Sequence, residues 1–88
     1  MSEQDTLLEF PCDFPIKVFG KAEDDFDARV VEIVRRHAPD LGEGAVTSRS
    51  SRGGKYIAVT VTIRAESKTQ LDNIYLALNA AEQVVMCL

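Results

Sequence analysis

An α+β sandwich built in the order βαββαβ is the fold this sequence predicts, and three observations carry the prediction. Over 55–65, Ile57, Val59, Val61 and Ile63 alternate with Tyr56, Ala58, Thr60, Thr62 and Arg64. That period of two belongs to a strand with one face on a core. Over 25–37, Phe26, Val30, Ile33, Val34 and His37 recur at the spacing of an amphipathic helix. Ser67-Lys-Thr-Gln70 has the form of a capping box and opens a second helix, which carries Leu71, Ile74, Tyr75 and Leu78 on one stripe.

The elements follow in chain order. Residues 1–9 read as a polar, frayed tail, and a single domain spans 10–88. Pro11 and Pro15 exclude a helix at the start of the domain. Ile16-Lys-Val-Phe-Gly20 alternates and ends on glycine, the pattern of a first strand. Asp24 is placed to cap the helix over 25–37, with acidic side chains in the first turn where the helix dipole favours them. Ala38-Pro39 stops that helix, because the residue before proline avoids the helical region. After a loop over 40–44, residues 45–49 form a short strand, weakly patterned. Ser50-Ser-Arg-Gly-Gly54 turns the chain into the long strand as a hairpin. Residues 83–88 close the chain as a last strand.

The crossover rule leaves few topologies for this order. The favoured one is the split-βαβ, ferredoxin-like sandwich: a four-stranded antiparallel sheet in the order 4-1-3-2, with both helices on one face. It brings the 20–23 turn and the 50–55 hairpin to one end of the sheet. The 37–40 loop and both cysteines fall at the other end, where Cys12 and Cys87 are expected beside each other as a candidate thiol switch.

Composition narrows the function. Fourteen acidic against ten basic residues give a net charge of −4, whereas general nucleic-acid binding needs a cationic surplus. No apolar run approaches the roughly 20 residues of a membrane span, and Met1-Ser-Glu-Gln-Asp is acidic where a secretory signal is basic. The expected setting is therefore cytoplasmic, without a membrane. Two cysteines 75 positions apart match no metal spacing, and with one histidine the chain has neither a metal site nor a catalytic triad to assemble. No enzyme activity and no cofactor are expected.

Three candidate sites remain. Arg35-Arg36-His37 is explained by cations complementing a helix C-terminus. Gly20 and Lys21 begin a turn that runs to a helix N-terminus, and Arg49, Arg52 and Lys55 gather at the same end; together they are the candidate ligand-binding set. The open sheet face offers Phe19, Tyr56, Thr60 and Arg64 to a partner or to nucleic acid. RNA-recognition motifs share this topology but stack bases on two or three aromatics of the central strands. Here the aromatics are a pair at best. Phe19, the threonines, Val85 and Cys87 give a semi-apolar face that suits a protein partner or a homodimer better. The uncharged last strand, at an edge, is suited to adding another strand.

Leu7-Leu-Glu-Phe-Pro11, Phe14-Pro-Ile-Lys-Val-Phe-Gly20, Val30-Val-Glu-Ile-Val-Arg-Arg-His-Ala-Pro39 and Val84-Val-Met-Cys-Leu88 together resemble the YbeD-like family of small bacterial proteins of unknown function. The resemblance implies a ferredoxin-like fold similar to ACT regulatory domains, which hold small ligands at the turn equivalent to 20–23 and often pair through sheet edges or faces. It also implies an association with lipoate metabolism, by genome neighbourhood rather than by chemistry. It brings no catalytic residue to carry over. The reading is a regulatory or interaction module that binds a small-molecule effector or a protein partner; the alternative is an RNA-binding module using the open face.

Overall fold

The structure, a computed structural model, describes residues 9–22, 25–51 and 53–88, leaving aside the side chain of Glu43. The expected cap Asp24, the tail over 1–8, Glu23 and the hairpin residue Arg52 lie outside the described residues. Strand β1 (Cys12–Lys21) leads to helix α1 (Phe26–His37), then a short 3-10 turn (Glu43–Ala45). Strands β2 (Val46–Ser50) and β3 (Tyr56–Ala65) form a hairpin, followed by helix α2 (Lys68–Asn79) and strand β4 (Val84–Cys87). The sheet is antiparallel throughout, in the order β2-β3-β1-β4, as the sequence predicts.

The alternation in β1 and β3 sets the two faces. Ile16 and Val18 from β1 and Val59, Val61 and Ile63 from β3 are almost completely buried beneath the helices. Phe26, Val30 and Val34 of α1 and Leu71, Ile74 and Leu78 of α2 fill the opposite side of that core. Each such side chain contributes about 1.5–3 kcal/mol by leaving water. The intervening residues of the strands form a second face that no element of the described residues covers.

β1 is longer than the alternation over 16–20 indicates and takes in Pro15. Lys17 exchanges both backbone hydrogen bonds with Leu88, at 3.1 and 2.8 Å. Two residues earlier, the nitrogen of Pro15 points to the same side, where β4 has already ended. The missing N–H therefore breaks no ladder bond.

Both helix ends are tied by specific groups. Ser67 Oγ accepts from the Gln70 N–H at 3.1 Å, the cap read from the sequence. Gln70 Oε1 accepts in turn from the Glu66 N–H at 2.6 Å, and its Nε2 donates to the His37 carbonyl at 2.8 Å. One side chain thus joins the start of α2 to the end of α1. At the N-terminus of α1 the cap position falls on Asp25, whose side chain makes no capping bond.

Candidate functional site

The uncovered face of the sheet is the place where the candidate residues converge. Register defines its rows. Arg49 of β2 lies opposite Ala58 of β3, Ala58 opposite Phe19 of β1, and Phe19 opposite Met86 of β4. The neighbouring row toward the hairpin pairs Tyr56 with Lys21. The row on the other side runs Thr47, Thr60, Lys17 and then Leu88. Phe19 and Tyr56 are thus diagonal neighbours on adjacent strands, within reach of each other's rings.

Parts of two sites that look separate in the sequence share one surface. Lys21 and Arg49 stand on the open face beside Phe19 and Tyr56, and the Ala22 N–H donates to the Lys55 carbonyl at 2.9 Å, closing the hairpin end against the 20–22 turn. Gly20 points the other way. It is buried on the helix side, and the ring of Phe26 and the carbonyl of Gln83 occupy the space a side chain would need. Arg64 stands apart, eight positions along β3 from Tyr56 and so about 26 Å away, where it pairs with Asp13 at 3.6 Å. That pair is exposed and contributes little to stability.

Electrostatically the face is one-sided. Among the described residues, Lys17, Lys21, Arg49 and Lys55 form no ion pair, and Asp13 is the one acidic residue on the face. Asp27, Glu32 and Asp72 sit on the helices beside Arg29, Arg35, Arg36 and Lys68, and Glu9, Asp25, Asp40, Glu66 and Glu82 lie in the segments outside helices and strands. A molecule with net charge −4 therefore presents a cationic sheet face. Tyr56 and Met86 are each 50% exposed there, and Leu88 adds a further large apolar group.

Met86 and Leu88 join this face, and Cys87 leaves it, because of a β-bulge. The pairing of β1 with β4 shifts register between Phe19 and Gly20, so Gly20 faces Val84 while Phe19 faces Met86. The extra residue, Val85, leaves two consecutive side chains exposed. A strict period of two puts Val85 and Cys87 on the open face; the bulge turns Cys87 to the helix side, where its thiol donates to Asn79 Oδ1 at 3.3 Å. Burial pushes the Cys87 thiol above its ordinary pKa, partly offset by the Asn79 bond. Tyr75 is also raised, by burial first and then by the nearby Cys87. A thiol held protonated is a poor nucleophile at neutral pH.

The expected closeness of the cysteines is corrected by the same register. Cys87 lies opposite Val18, whereas Cys12 begins β1 opposite Ala65. Six residues of strand separate the two levels, about 20 Å, and a disulfide needs its Cα atoms within about 7 Å.

Arg35 and Arg36 are locally engaged. Arg35 donates to the Leu41 carbonyl at 3.2 Å, and Arg36 pairs with Glu32 at 2.9 Å. Among the described residues no group of His, Cys, Asp and Glu is arranged to hold a metal ion, and no helix is long and apolar enough to cross a membrane.

Comparison with known proteins agrees with this architecture. The solution structure of protein HP0495 from H. pylori superposes with a TM-score of 0.70 at 14% identity, covering 92% of this chain and 85% of that one. A likeness at that identity concerns the fold. Sequence relatives are much nearer. A UPF0250 protein of Chromobacterium violaceum is 50% identical over 86 residues, 98% of this chain and 97% of its own length. A UPF0250 protein of Nitrosomonas europaea is 46% identical over 85 residues, with 97% and 98% covered. The model of a family described as a protein of unknown function, DUF493, matches residues 5–88. The chain thus belongs to the DUF493 family, in keeping with its YbeD-like motifs.

Proposed function

We propose that this protein is a cytoplasmic, non-catalytic interaction module, ACT-like in its regulatory role, whose open sheet face receives an acidic protein partner. One observation supports the reading above the others: Phe19, Tyr56, Met86 and Leu88 form an apolar strip that no described element covers, flanked by Lys17, Lys21 and Arg49. Interfaces of this composition bind through apolar and aromatic anchors and use charge for steering and selectivity. A small-molecule effector at the hairpin end is the narrower form of the same reading. The lipoate association of YbeD-like proteins would make the partner a protein that handles acyl groups. A second copy would add along the uncharged edge of β4 to form a homodimer, leaving the cationic faces free of each other.

RNA binding is the rival, favoured by the diagonal Phe19–Tyr56 pair with cations nearby. Isotope-labelled protein titrated with a peptide of alternating Glu and Leu, and separately with a short single-stranded RNA, distinguishes the two. The peptide is expected to shift the resonances of Lys17, Phe19, Lys21 and Tyr56, more weakly as salt is added. Arg49→Glu should weaken it about tenfold. RNA shifting those residues while the peptide does not would replace this reading with the rival. No shift from either would overturn both.

A further inference from the structure

The row Arg49–Ala58–Phe19–Met86 has one gap. Ala58 is the smallest outward side chain on β3, between a guanidinium on β2 and a ring on β1. Tyr56 closes the side toward the hairpin. The result is an open depression of about 240 Å³ lined by Phe19, Tyr56, Ala58 and Arg49 with the end of β2, and its surface is almost wholly carbon. A cavity of about 150 Å³ accommodates benzene, so one aromatic ring fits here. Among the described residues Arg49 has no ion pair and makes no side-chain hydrogen bond.

Resting on the reading of this face as a surface for an acidic partner, we propose that the depression over Ala58 seats one aromatic side chain of that partner, with an adjacent carboxylate on Arg49. A ring entering from solvent meets Phe19 and Tyr56 in the offset or edge-to-face arrangements that aromatic pairs prefer. Arg49 lies about 5 Å to the side, one strand spacing away. From there its planar fork can hold a carboxylate in two parallel bonds while its plane borders the ring. A base with its phosphate would satisfy the same groups. A peptide is favoured because a polyanionic strand also meets the overall field of a molecule with net charge −4, and because the strip continues into Met86 and Leu88, which suit side chains.

Three otherwise identical peptides test the assignment by fluorescence anisotropy: one with Phe beside Glu, one with Ala replacing the Phe, and one with Gln replacing the Glu. The Phe–Glu peptide is expected to bind wild type about tenfold tighter than either of the others. Ala58→Leu fills the gap and Tyr56→Ala removes a wall at an exposed strand end; each should abolish the preference for Phe and leave the affinity of the alanine peptide unchanged. Equal binding of the Phe and Ala peptides would overturn the aromatic seat while the acidic-partner reading stands. A preference for Phe that survives in both variants would also overturn it. No binding by any of the three would overturn the seat and the acidic-partner reading together.

Discussion

At Gly20 the strand and the helix layer come so close that any side chain would collide. A Cβ there meets the ring of Phe26 and the carbonyl of Gln83, one a buried core group and the other backbone. Neither can yield cheaply. Gly20→Ala is expected to destabilise the fold by about 1–3 kcal/mol, read as a lower urea midpoint. Gly42→Ala, with nothing within 4 Å of its would-be Cβ, should stay within about 0.5 kcal/mol of wild type. From the sequence Gly20 suggests a ligand turn, because a glycine at a strand end is most simply a turn residue. Its requirement is tertiary, arising from a phenylalanine on another element.

Among the elements, the start of α2 was the most legible and the course of β4 the least. The capping box is a local pattern, and Ser67 and Gln70 meet as it prescribes. The further bond from Gln70 to the His37 carbonyl spans 33 positions, and no local rule indicates it. Ser67→Ala should therefore cost about 1 kcal/mol through the lost cap. Gln70→Ala should cost about 1–2 kcal/mol, because it leaves the Glu66 N–H and the His37 carbonyl without their partner. In hydrogen exchange, Ser67→Ala should loosen the first turn of α2 alone, whereas Gln70→Ala should loosen the end of α1 as well. In β4 the single extra residue, Val85, moves Met86 to the open face and Cys87 to the helix side. The uncharged run Val84-Val-Met-Cys-Leu88 contains no sign of the bulge, because the register is set by its pairing with β1.

For the whole molecule, the antiparallel order determines which distant residues meet. It unites Lys21, Arg49, Phe19 and Tyr56 on one surface and keeps Cys12 and Cys87 about 20 Å apart. Under mild oxidant, intact-mass measurement of the monomer is expected to show both thiols free of an internal bridge. An internal disulfide, seen as a loss of two hydrogens in the folded monomer, would contradict the β1–β4 register. Charge is likewise a property of the whole: the net value of −4 conceals a cationic face, because Asp13 is the one acidic residue in the described strands while Lys17, Lys21 and Arg49 occupy the sheet.

The sequence by itself determined the element order, the inward and outward residues of β1 and β3, the cap of α2 and the strand order of the sheet. These follow from periodicity, proline and capping, all local rules, and from a handedness rule that leaves few topologies. Only the tertiary structure decided that Lys21 and Arg49 share a surface with Phe19 and Tyr56, that Ala58 is the gap between Arg49 and Phe19, that Met86 replaces Cys87 on the open face and that Gly20 belongs to the core. Each depends on which residue of another strand or helix lies alongside. That is a matter of register and close packing, to which the spacing of residues along a single strand gives no access.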